Sequence, residues 1–102
     1  MTAPIETGIP EDVKAKIIGI ITLLLPECKI YLYGSRARGN FSHGSDVDIA
    51  LDGTTRLERV KVYEAQELVN SLLTRLKINL VDFHELPQEY QISINRDKIL
   101  WK

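Results

Sequence analysis

The apolar positions change period several times along the chain, and each change marks an element. Val13, Ile17, Ile21 and Leu24 recur at steps of three and four, which predicts a first helix over 10–25, stopped by Pro26. Pro10 suits the first helical position because its missing N–H would have no partner there. Glu11 and Asp12 complement the positive end of the helix dipole. Ile18, Ile20, Leu23 and Leu25 make the second half of this helix apolar nearly all round. Such a helix is either wedged between a sheet and another helix or carries a surface for a partner, in a homo- or hetero-oligomer.

After Pro26 the pattern turns to strands. "KIYLY" (29–33) is short, rich in β-formers and ends at Gly34, which makes it the first strand. "SRARG" suits one helical turn and "NFSHGS" a loop. In "DVDIAL" (46–51) Val47, Ile49 and Leu51 share one face while Asp46, Asp48 and Ala50 share the other, the alternation of a second strand. Thr55 and Glu58 have the spacing of a capping box, and Val62, Ala65, Val69, Leu72 and Leu76 continue at helical steps, predicting a helix over 56–76. "INLVDF" (78–83) reads as the third strand, Leu86-Pro87 opens a short helix to about Asn95, and "KILW" (98–101) adds an edge strand. The first eight residues read as a loose lead-in. Alternating helices and strands predict an α/β (α+β) fold, a mixed sheet covered by helices in a single domain over 1–102.

Composition narrows the function. At 102 residues the chain has room for one core and none for a separate substrate-binding domain, so a large substrate must be held by a partner or be the partner. A net charge of −1 and a pI near 6.1 lack the basic footprint of backbone-tracking proteins, and no direct nucleic-acid binding is expected. Cys28 stands alone, with no companion for a disulfide or a structural zinc site. "MTAPIETGIPEDVK" does not have the pattern of a signal peptide, and "IIGIITLLL" is about half a membrane span. No membrane association and a cytoplasmic location are the expectation.

The chemistry gathers around Asp46 and Asp48. Residues two apart on a strand point to the same face with Cα atoms roughly 6.5 to 7 Å apart, so both carboxylates can reach one hard cation. Asp82 repeats the oddity, an aspartate ending the apolar strand face of Ile78 and Leu80. If the third strand runs antiparallel to the second, Asp82 joins Asp46 and Asp48, and three carboxylates crowd one rim. Two Mg²⁺ ions would relieve the repulsion and leave positions for phosphate oxygens. Gly34-Ser35 supplies a second half: a glycine after a strand lets backbone approach a phosphate, and Ser35 can donate its hydroxyl. Arg36 and Arg38 are near enough in sequence to add charge, Arg38 being the better candidate. For Gly34-Ser35 to meet Asp46 and Asp48, the first two strands must be antiparallel. His43 reads as a loop residue, Asp52 as a turn residue, Tyr31 and Tyr33 as strand packing, and His84 has no evident role.

Gly34-Ser35, ten intervening residues and then Asp46-Val47-Asp48 form a G-S-x10-D-x-D signature. Through it, and through "GSRARG…SDVDIAL", the chain resembles the minimal nucleotidyltransferases of the DNA polymerase β-like superfamily, over essentially its whole length. The resemblance implies a mixed sheet, ATP as substrate, Mg²⁺, Asp46 and Asp48 as metal ligands and Ser35 at the triphosphate. It matches Asp82 to the third carboxylate, which would help take the acceptor proton through its metal. Relatives often show an acidic residue and glycine before the final strand, where this chain has Arg96-Asp97. It also implies a setting: stand-alone members often pair with a HEPN-domain toxin and act as its antitoxin by adenylylating it, typically on tyrosine. Two alternatives stay open, a non-catalytic module that neutralises the partner by contact and nucleotidyl transfer to a small molecule.

Overall fold

The predicted alternation folds, in a computed structural model that describes residues 6–102, into four strands with helices between them. The elements are α1 (Glu11–Leu24), β1 (Lys29–Tyr33), α2 (Ser35–Arg38), β2 (Val47–Asp52), α3 (Arg59–Asn70), β3 (Ile78–Asp82), a 3₁₀ turn (Phe83–Glu85), α4 (Gln88–Asp97) and β4 (Ile99–Leu100). The sheet order is β3-β2-β1-β4, with β1 antiparallel to both β2 and β4 and β2 parallel to β3. It is the mixed sheet that the sequence predicts, and the edge strand near the end forms.

One face of the sheet carries the core. Ile30 and Leu32 of β1, Val47, Ile49 and Leu51 of β2, and Ile78 and Leu80 of β3 are buried with Ile17 and Ile21 of α1 and Ala65 and Val69 of α3. Helix α1 packs against α3, and Val13, Ile18, Ile20 and Leu24 reach the same cluster from its flanks. A helix with two neighbours needs apolar residues on more than one side, which accounts for its pattern. Leu23 alone of these stays exposed to solvent.

The parallel β2–β3 pair corrects the condition on which the third carboxylate depended. A parallel neighbour needs a long crossover, and α3 is that crossover, carrying the chain back to the end from which β2 started. The ends of β2 and β3 therefore lie together, and so do their starts. Helix α3 is also shorter than 56–76, because the capping box does not form. The Leu57 N–H is given to Asp82 Oδ2 at 2.8 Å, Thr55 Oγ1 turns to the Arg56 carbonyl, and Glu58 precedes the helix without a side-chain cap. At the other end, the Ser71 hydroxyl closes on the Leu68 carbonyl at 2.6 Å. Of the expected lead-in, residues 1–5 lie outside the described residues, and Thr7 is tethered rather than loose, its carbonyl accepting from Arg36 at 2.9 Å. Among the described residues no helix is long and apolar enough to cross a membrane.

Candidate active site

Gly34 is the hinge between strand and turn. Its φ of +80° lies where side chains are strained, and a Cβ there would stand 2.6 Å from Asp48 Oδ2. Glycine therefore answers two demands, a left-handed backbone and a close approach to a carboxylate. The register explains the second, since Tyr33 lies opposite Asp48 across the antiparallel β1–β2 pair. Ser35 follows as the first residue of α2, a single turn that Gly39 ends at φ +79°. The G-S turn and the D-x-D strand thus face one another, as the sequence required.

Arg36 holds the ten-residue spacer in place. Its side chain is 2 % exposed; Nε and Nη2 donate to the Ser45 carbonyl at 3.1 and 3.0 Å, Nη1 donates to the Thr7 carbonyl, and the guanidinium lies 4.6 Å over the Phe41 ring. Fully engaged, it is a strut for the loop that delivers Asp46, not a phosphate contact. Arg38 is the more exposed arm of the pair. It bonds Asp97 Oδ2 at 3.0 Å across a cleft of about 310 Å³ lined by Tyr33, Gly34, Tyr90 and Ser93, and its charge also reaches Asp48. Asp97, part of the departure from the familiar pattern near the last strand, is thus the partner of Arg38.

Asp46 and Asp48 come together with a residue that sequence reasoning missed. Asn79 stands opposite Asp48 in the β2–β3 register, and its Nδ2 donates to Asp46 Oδ2 at 3.1 Å and Asp48 Oδ1 at 3.3 Å. Both acceptors are carboxylates, so the amide must turn its NH₂ toward them. Burial pushes the Asp48 carboxyl above its ordinary range and the nearby Asp46 charge adds to this, while Asn79 and Arg38 oppose it. Burial, with Asp48 alongside, also pushes the Tyr33 phenol up to about 12.

Asp82 is elsewhere. It lies opposite Leu51, three residues or about 10 Å further along the sheet than Asn79, and on the core face rather than the Asp48 face. Its two oxygens accept the Leu57 and His84 N–H groups at 2.8 and 3.1 Å. Asp82 is a buried cap for two turns, so the expected convergence of three carboxylates does not occur. His84 gains a place from the same end of the sheet, its Nε2 lying 2.8 Å from Asp52 Oδ1 and 2.7 Å from the Gly53 carbonyl. The helix between the strands was the signal that could have found Asn79: a crossover implies parallel pairing, which sets the start of β3 beside the start of β2.

Two half-buried carboxylates within reach of one amide nitrogen form a hard-oxygen pair suited to one divalent cation. Among the described residues no cluster of three or more His, Cys, Asp and Glu side chains supplies a larger site. The donor set therefore fits a magnesium-like ion that completes its shell from water or phosphate, and gives no carboxylate for a second ion at the position foreseen for Asp82.

Against known proteins, no curated protein matches the chain. Solved structures do. A chain of a toxin–antitoxin crystal structure with AMP-PNP is 25% identical with a TM-score of 0.72, covering 85% of this chain and 70% of its own. A chain of the complex of tri-AMPylated Shewanella oneidensis HEPN toxin with MNT antitoxin is 22% identical with a TM-score of 0.68, covering 88% and 69%. A chain of the MntA-HepT toxin–antitoxin structure has 22% identity and a TM-score of 0.68 over 89% and 70%. The family model described as polymerase beta, nucleotidyltransferase matches residues 20–102, a span that includes the glycine hinge, the serine, both rim aspartates and the strand bearing Asn79. With this match over most of its length, the chain belongs to the polymerase β nucleotidyltransferase family.

Proposed function

We propose that the protein binds Mg²⁺-ATP at the rim formed by Gly34-Ser35, Asp46 and Asp48 and transfers AMP to a hydroxyl, a tyrosine by preference, of a HEPN-domain partner whose toxicity it neutralises. The approach of Gly34 to Asp48, 2.6 Å from where a side chain would begin, carries this reading, because it leaves the turn's backbone free to meet phosphate beside the carboxylates. The likeness to chains of toxin–antitoxin complexes, one with AMP-PNP and one with an AMPylated toxin, supports the partner and the nucleotide. The β and γ phosphates lie against Gly34 and Ser35, with Arg38 beside them. Asp46 and Asp48 would hold the divalent ion, which would supply neutralisation of phosphate charge. The acceptor oxygen bonds to the α phosphorus, the bond to pyrophosphate breaks and pyrophosphate departs with its electron pair. The acceptor proton passes to the Asp46–Asp48 pair. Asp82 has no part in this.

Labelled ATP, the purified protein and a HEPN-domain partner should give labelled partner, and Asp46→Ala with Asp48→Ala should abolish it. Label persisting in the double variant would refute the assignment. A second reading, neutralisation by contact alone, draws on Asn79, a neutral residue where a carboxylate would strengthen the metal site. Under it the double variant would still protect cells that express the partner.

A further inference from the structure

The rim holds two negative groups and one neutral residue that satisfies both. We propose that Asn79 is a positioning residue that takes the place of a cation in the metal-free protein, and that it makes divalent binding depend on a nucleotide arriving with the ion. The inference rests on the metal-nucleotide reading of the rim and adds to it a binding order.

The Asp46 and Asp48 carboxylates lie near enough for one nitrogen to reach an oxygen of each, at 3.1 and 3.3 Å, and carboxylates so placed repel. Each bond from the amide is charge-assisted, so the pair is held without a cation. A divalent ion entering the gap must displace this NH₂ group and then finds only two carboxylates. Affinity for hard cations rises with the number of charged oxygens, so two leave the ion weakly held. A triphosphate brings the missing oxygens. The neutral amide thereby couples the two ligands, since neither carboxylate is released to an ion that lacks them.

Thermal melting of the wild-type protein with Mn²⁺ alone, with AMP-PNP in EDTA and with both tests the coupling without requiring turnover. Stabilisation only with both is expected. Stabilisation by Mn²⁺ alone as large as with both overturns the proposal and needs no variant to fold. Asn79→Asp adds a carboxylate and removes the donors: nucleotide-free Mn²⁺ binding, followed by calorimetry, should tighten at least roughly tenfold, and the metal-free melting temperature should fall. Unchanged Mn²⁺ affinity in that variant, or an unchanged metal-free melting temperature, also overturns it. Adding Asp46→Ala to Asn79→Asp should remove the gained affinity. If the ion still binds as tightly, it sits elsewhere, and the rim's assignment as the metal site fails as well, an outcome distinct from a failure of the coupling alone.

Discussion

The two ends of the central strands each place aspartate beside a turn, and they differ in who answers the charge. At the Asp82 end, two backbone N–H groups point at a carboxylate that is 7 % exposed, and His84 pairs with Asp52 next to it. At the Asp46–Asp48 end a single amide serves two carboxylates, and Gly34, at φ +80°, comes close to Asp48. The first end is complete in itself, and its aspartate stabilises the fold. The second is short of positive partners, a state a protein keeps where a ligand will supply them.

Exchanging charge for amide at each end should separate these roles most widely. Asp82→Asn keeps one acceptor oxygen but sets an NH₂ group against the other backbone N–H and removes the charge, and it is expected to cost about 3 kcal/mol of stability in urea unfolding, since a bond to a charged group is worth roughly 1.5–3 kcal/mol. Its folded fraction should still bind Mg²⁺-AMP-PNP. Asp48→Asn relieves a carboxylate whose ionisation burial already opposes, so the metal-free protein should be as stable or more so, with metal-nucleotide binding lost. If Asp82→Asn abolished nucleotide binding at unchanged stability, the distinction between the ends would collapse.

Gly34 ties the open end to its strand and sharpens the comparison. Gly34→Ala combines strain at φ +80° with a contact of 2.6 Å to Asp48 Oδ2, and should cost roughly 1–3 kcal/mol while weakening AMP-PNP binding. Combining it with Asp48→Gly opens space at the contact and should recover part of the stability but none of the binding. Full additivity of the two losses in a double-mutant cycle would show that the approach is not what makes glycine necessary.

Much of this was legible in the chain. Alternation in "DVDIAL" located β2 and sorted its faces, because one face is buried and a one-residue slip would expose Val47, Ile49 and Leu51. The turn before it could be placed because only glycine tolerates that backbone. Asp82 misled because an aspartate at the end of an apolar face looks alike whether it caps a turn or holds a metal, and only strand direction decides. Direction was written in the intervening helix, whose length demands a crossover. Arg36 was ambiguous for another reason: its partners are the carbonyls of Ser45 and Thr7, and backbone acceptors leave no mark on sequence. The capping box failed likewise, Leu57 being claimed by a residue 25 positions away.

Cys28 offers the mildest probe of the closed end. It is 6 % exposed and borders the concavity that includes Leu25, Gly53 and Leu57, and burial pushes its thiol above the ordinary value of 9.0, with the Asp52 and Asp82 charges adding to the rise. The Lys102 charge pulls the other way without overcoming burial. Because the folded value is the higher one, the stability gained from a neutral thiol is intact below about pH 9.0 and is lost as pH climbs through the folded value. At pH 8 alkylation by iodoacetamide should run at least roughly tenfold slower in the native protein than in urea, because the attacking thiolate is both scarce and shielded. Asp82→Asn should speed the native reaction by loosening the Leu57 turn over this concavity, whereas Asp48→Asn at the far end should leave it unchanged. Equal acceleration by both variants would mean that the two ends open together, and that the sheet does not insulate the capped aspartate from the rim pair.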